Sequence, residues 1–140
     1  EKVERKGEGW NLCLQTLDGI LGHDGEIHSE KLQPATDKTF GIMDREISAK
    51  KNDPKRPLIP MTLEGCLVRM ADTVSYIGRD IEDAIRLKLI HRSDLPRESV
   101  SLLGDTNGTI VFNLVTDIIC SSHGKPYIAF SPEVSEALKH

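Results

Sequence analysis

The sequence predicts an all-α domain of irregular helical architecture, and three observations carry that expectation. The stretch from Met61 to Leu89 places an apolar residue every three or four positions over a full helix length. A second stretch, Thr109 to Cys120, is apolar almost all round and holds the helical period beyond ordinary strand length. Helix-start chemistry stands where it is needed: Thr62 with Glu64 after it, and Ser131 followed by Pro132 and Glu133.

Taken in order, residues 1–8 are charged and read as a frayed start. The first helix is expected over Trp10 to Leu21, where Trp10, Leu14, Leu17 and Leu21 share a face beside Cys13 and Ile20. Gly22 and Gly25 are its stop signals. Residues 24–60 are polar and proline-punctuated. DREISAKKNDPKRP reads there as a weak helical start followed by a basic loop, in a connection long enough to be functional or mobile.

The second helix follows Pro60, with Thr62 as N-cap. Leu63, Leu67, Met70, Val74, Ile77, Ile81 and Ile85 form its expected buried stripe. Residues 90–108 read as a loop or short helix with turn signals at Pro96, Gly104 and Asn107-Gly108. The third helix is Thr109 to Cys120, expected to be buried. SSHGKP breaks it, YIAF is short and extended, and a last helix starts at Ser131 with Pro132 at its first position. That makes four helices in one domain spanning residues 1–140, whose two ends look like cuts through a larger structure.

Composition narrows the function classes. The core must be built from Leu, Ile, Val and Met, because the chain has one Trp, two Tyr and three Phe. A net charge of −4 with mixed signs argues against a dedicated nucleic-acid or anionic-membrane surface, while a local basic pocket stays open. No apolar run is long enough to span a membrane, and the first ten residues have no secretory h-region. Cys13, Cys66 and Cys120 lie far apart with no CxxC pair, and read as buried free thiols of a reducing cytoplasm.

Asp72, Tyr76 and Asp80 carry the chemistry of the second helix. At about 100° per residue each is about 40° further round than the last, so the three form a strip along two turns. Such a strip suits a ligand lying along a helix, with a metal at one end, a ring against a sugar, and a carboxylate to accept a hydroxyl hydrogen bond. Spacing alone favours a plainer reading, a solvated face opposite the apolar stripe. Lys50, Lys51, Lys55 and Arg56 read likewise as a solvated loop, or else as a contact for a triphosphate or a neighbouring subunit.

The stretch LEGCLVRMADTVSYIGRDIEDAI resembles the segment of deoxynucleoside triphosphate triphosphohydrolases that reads like LEAQVVDLADDIAYSxHDLEDAI. These are dGTPase-like members of the HD-domain phosphohydrolases. Two flanking stretches match in the same order: GWNLCLQTLDGILGHDGE resembles GLNLTxxxLEGILKHNG, and TIVFNLVTDIICSS with IAFSPEVSEALK resembles INxLVxDVIxxS with IxxSxEVxxAL. The resemblance runs from about Gly9 to the C-terminus and implies part of an HD-domain fold. Asp72 falls on the family's last metal-binding Asp. Tyr76 falls on the Tyr that packs against the deoxyribose and approaches the phosphates. Asp80 falls on the Asp that binds the sugar 3′-hydroxyl. Thr73 stands where the family often has a further Asp, and Gly78 where it has a bulkier residue.

The family's metal site also needs an upstream His and an adjacent His-Asp pair, and these are expected to lie outside the 140 residues. His23-Asp24 is the His-Asp pair present, but it follows GWNLC instead of preceding it, so His23 is expected to cap the first helix or line the pocket's outer wall. A stray metal site of His23, Glu26 and His28 on a Gly-containing loop is a weak alternative. His91 is expected to end the second helix, His123 to lie in the breaker and His140 at the terminus. Ser121 and Ser122 have no evident base partner.

The resemblance implies that the intact protein hydrolyses a dGTP-like deoxynucleoside triphosphate to deoxynucleoside and tripolyphosphate. A divalent metal, Mg, Mn or another transition ion, would polarise the α-phosphate and activate water. It further implies a homo-oligomer with nucleotide effectors at subunit contacts. The fragment alone is expected to be inactive. The alternative is a non-catalytic helical interaction or regulatory module that keeps the scaffold.

Overall fold

The computed structural model describes residues 5–24 and 31–139. Among them are six α-helices and one two-stranded ribbon: α1 Leu14–Gly22, β1 Lys31–Leu32, α2 Phe40–Asn52, α3 Leu63–Arg86, α4 Arg97–Leu103, α5 Asn107–Ser122, β2 Ile128–Ala129 and α6 Pro132–Ala137. The chain is all-α in class, as its periodicity predicts. Gly25, Glu26, His28 and His140 lie outside the described residues, so the expectations that rest on them find no test.

The organising element is α3. Thr62 Oγ1 accepts from the Gly65 amide at 3.0 Å, which satisfies one of the free N–H groups of the first turn, and Glu64 complements the positive helix end. Cys66, Met70 and Val74 are buried, and Ile77 and Ile81 continue that line half-covered. They meet Ile110, Leu114 and Ile118 of α5, then Leu103, Ile128, Phe130 and Val134. Met70 and Leu114 are fully enclosed, each worth about 1.5–3 kcal/mol in apolar area removed from water.

The expected stripe is corrected at its start. Leu63 and Leu67 are exposed, and Gly65, Cys66 and Arg69 face inward instead. The reason is close packing of α1 on α3 through glycines. A Cβ on Gly65 would stand 2.7 Å from Pro60 Cβ and 3.6 Å from Gly19 Cα. The small residues make the contact, so the leucines one step round the helix turn outward. Further along, Gly78 lies under the start of α5, where a Cβ would meet Asn107 Oδ1 at 2.5 Å. The bulkier residue of the family pattern has no room there.

Three more corrections concern elements. The first helix starts at Leu14 and not at Trp10, because Gly9 (φ 72°) and Asn11 (φ 52°) take left-handed backbone that breaks the period. The basic, polar stretch is a thirteen-residue helix, α2, capped by Thr39, whose Oγ1 accepts from Ile42 N at 3.3 Å. It buries Met43 alone, so it leaves almost no apolar signature. The 90–108 region, expected as a loop or short helix, holds the short helix α4 and a 3₁₀ turn over Arg92–Asp94. His91 caps that turn; α3 has already ended at Arg86.

The burial of α5 is corrected as well. It is a helix as expected, started by Thr106, but it is buried on one face only: Phe112 is 70% and Ile119 60% exposed. Of the three free thiols, Cys66 is buried, while Cys13, the N-cap of α1, and Cys120 on α5 are exposed, contrary to the expectation for all three. Ile128–Ala129 pairs antiparallel with Lys31–Leu32, and Ser131 Oγ accepts from Val134 N at 3.3 Å to start α6, both as the sequence predicts in kind. No helix among the described residues is long and apolar enough to cross a membrane.

Candidate functional site

One side of α3, from the buried Arg69 to the exposed Tyr76, forms one wall of an open cleft of about 640 Å³. Arg69, Asp72, Thr73 and Tyr76 line it from the helix. Lys50 from the last turn of α2, then Pro54, Lys55, Arg56 and Pro57, line it from the opposite side, with Asp24 at the edge. Asp72 is half-buried and Tyr76 is 55% exposed, which leaves its ring open to the cleft. Asp80 lies one turn further along the same strip, exposed and outside the cleft lining.

The basic wall is built by local chemistry. The α2 helix stops where Asp53 N donates to Ala49 O at 2.9 Å. Asp53 then turns the chain: its Oδ1 accepts from Lys55 N at 3.2 Å and its carbonyl from Arg56 N at 3.0 Å. Pro54 and Pro57 restrict the backbone on either side. The buried Arg69 guanidinium donates to Leu58 O, which ties the end of this loop to the helix that carries Asp72. Thr73 Oγ1 donates to Arg69 O at 3.4 Å, and Ser75 Oγ to Asp72 O at 2.6 Å.

A buried ion cluster holds the two walls in register. Lys38 Nζ bonds Asp18 Oδ1 at 2.7 Å and Glu46 Oε2 at 2.9 Å, while Asp18 Oδ2 accepts from Met61 N at 2.6 Å. One carboxylate from α1 thus fixes the entry to α3, and one ammonium fixes α2 to both. Burial alone would lower the Lys38 pKa, but hydrogen bonds and charge from Asp18 and Glu46 outweigh it and raise the pKa. Asp18 is 1% exposed although it sits in an apolar helix. Sequence reasoning passed over it, and the signal was a charged residue on the inward side of LQTLDGIL.

The cleft is cationic overall, with Lys50, Lys55, Arg56 and Arg69 against Asp24 and Asp72. Lys50 Nζ stands 3.8 Å from the exposed Asp24 carboxylate. His23 does not face the cleft. Its Nδ1 donates to Ile20 O at 2.6 Å and caps α1, the first of its two expected roles. Among the described residues no three His, Cys, Asp or Glu side chains are grouped to hold a metal ion. Asp72 is therefore a single hard oxygen donor, where a hard divalent ion takes about six ligands. The described residues do not amount to a metal site by themselves.

Comparison with known proteins gives the class. The chain is 34% identical over 137 residues to a deoxyguanosinetriphosphate triphosphohydrolase-like protein of Caldanaerobacter subterraneus subsp. tengcongensis, covering 98% of this chain and 31% of that protein. A protein of the same name from Clostridium tetani is 35% identical over 118 residues, covering 84% and 27%. A third, from Clostridium perfringens, is 28% identical over 142 residues, covering 98% and 34%. No family model and no solved structure matches the chain. Over nearly its whole length the chain is thus similar to dGTP triphosphohydrolase-like proteins, and it matches a fragment of them. It spans about a third of the length of these curated relatives.

Proposed function

We propose that the intact protein is a metal-dependent hydrolase of the HD-domain type that cleaves a dGTP-like deoxynucleoside triphosphate to deoxynucleoside and tripolyphosphate. The observation that carries this reading is the cleft itself, in which Asp72 and Tyr76 on one helix face a wall of Lys50, Lys55 and Arg56. An aromatic ring and a carboxylate opposite three cations match a ligand with a sugar at one end and a polyanion at the other.

Each residue has a role in this proposal. Asp72 supplies one oxygen ligand to a divalent ion, Mg or Mn, whose other ligands come from outside the described residues. Tyr76 packs against the deoxyribose. Asp80, exposed one turn on, accepts the hydrogen bond of the 3′-hydroxyl. No step is derived through the ion, since this chain provides one donor. The protein is proposed to work in the cytoplasm, which fits three unpaired cysteines, and as a homo-oligomer.

The test is tripolyphosphate release from each of the four dNTPs with Mg or Mn, comparing the full-length protein with its Asp72→Ala variant. The expected result is activity in the parent and a loss of at least about a hundredfold in the variant, the scale on which an electrostatic catalytic element acts. A parent that neither hydrolyses nor binds any dNTP sinks the proposal and leaves the helical interaction module.

A further inference from the structure

We infer that the groove between the 3₁₀ turn over Arg92–Asp94 and α4 is a binding site for a single phosphoryl group, gripped by Arg92 and Arg97. The groove shares no lining residue with the cleft beside α3 and needs no reading of that cleft's chemistry.

Three observations carry it. Arg92 is only half engaged: its Nη2 donates to Glu82 Oε2 at 2.9 Å, while its Nη1 is buried with no acceptor among the described residues. A buried donor on a charged group is costly without an acceptor, and an anion seated against that guanidinium relieves the cost. Arg97 lines the same groove, and no carboxylate pairs with it among the described residues. The lining itself is free of acidic side chains. It adds the hydroxyls of Ser93 and Ser101 and the apolar Leu95 and Val100 around a volume of about 300 Å³. Two guanidinium forks with two hydroxyl donors suit a compact oxyanion. The volume is at the small end for ligand pockets and matches one phosphoryl group better than a whole nucleotide. Arg92 is already tied through Glu82 to α3 and to the start of α5, where Glu82 Oε1 accepts from Asn107 N at 3.4 Å. A phosphoryl group that joins Arg97 to Arg92 therefore ties α4 to the α3–α5 core, and its binding stabilises the folded protein by mass action.

The test titrates inorganic phosphate calorimetrically into the full-length protein at constant ionic strength, with thermal unfolding followed in parallel. Binding is expected, with a Tm that rises with phosphate concentration. Arg97→Gln alters an exposed residue with no ion pair to lose. It should weaken the affinity about tenfold or more, the scale of one charge-assisted contact. Arg86→Gln, which removes an exposed charge from the end of α3, should match the parent. Ser101→Ala keeps both guanidinium groups and should weaken the affinity a few-fold; it takes the place of Arg97→Gln if that variant fails to fold. Glycerol phosphate separates the sources. Binding as tight as that of inorganic phosphate assigns the site to a phosphomonoester, and binding of the inorganic ion alone assigns it to free phosphate; both support the site. A parent that binds no phosphate overturns the inference. So does an affinity in folded Arg97→Gln equal to the parent's, which is the result if phosphate binds only in the cleft, or an equal loss in Arg86→Gln.

Discussion

Lys38 and Asp18 are the residues whose environment departs most from what their type prefers. Both are nearly sealed from water, with side-chain exposures of 5% and 1%. Such a pair adds little net stability over an apolar pair, but removing one member strands the other. Lys38→Met should therefore cost about 3–5 kcal/mol in urea denaturation, because Asp18 is left without its cation. The pH dependence carries a sign. The Lys38 pKa is raised in the folded protein, so its contribution is complete below the unfolded value of about 10.4 and fades as pH rises through the higher folded value. Comparison of the two proteins across the alkaline range should show the stability gap closing there, and a gap that stays constant would remove Lys38 as its cause. On the acid side Glu82 runs the other way. The Arg92 hydrogen bond lowers its pKa, so its contribution is lost as pH falls through that lowered value.

At the scale of elements, α2 and α3 show why one helix is legible in a sequence and another is not. α3 has a cap, a first-turn carboxylate and an apolar line of helical period, each readable without neighbours. α2 buries only Met43 and is stabilised by Thr39, by Lys50 and Lys51 in its last turn, and by Lys38, which joins Glu46 of this helix to Asp18 of α1. An ion pair between distant segments has no periodicity to betray it. The cap on α3 is open to a direct check: Thr62→Ala should lower stability by about 1 kcal/mol, with Thr62→Ser close to the parent. Equal losses in both would show that the methyl group, and not the Oγ1 bond to Gly65, is what matters.

At the scale of the molecule, apolar surface is left uncovered. Phe112, Val115 and Ile119 share the outer face of α5, exposed by 43% or more. Monomeric proteins seldom show such contiguous patches. In keeping with the homo-oligomer proposed above, the protein should associate as concentration rises in analytical ultracentrifugation. Phe112→Ser should shift that association to higher concentration while changing unfolding free energy by less than about 0.5 kcal/mol, since the ring is 70% exposed. An unchanged association profile would place the contact elsewhere. The candidate cleft also belongs to this scale. Asp72 and Tyr76 stand four apart on one helix, so their alignment could be read directly. The basic residues facing them come from a segment that read as an open loop, and only the packing of α2 brings them to the same space.

The sequence by itself determined the helical class, the caps at Thr62 and Ser131, the short extended strand over Ile128–Ala129, and the Asp72–Tyr76–Asp80 strip. These are local properties: periodicity, capping and spacing act within a few residues, where composition is sufficient to specify them. The tertiary structure decided which side of α3 turns inward at its start, the burial of Asp18 and Arg69, and the placing of Lys55 and Arg56 in one cleft with Asp72. Each depends on a contact across the chain, such as Gly19 against Gly65 or Asp18 against Lys38 and Met61, whose partners no local pattern pairs. Close packing and buried charge are settled by what lies opposite, and that is fixed only once the helices have docked.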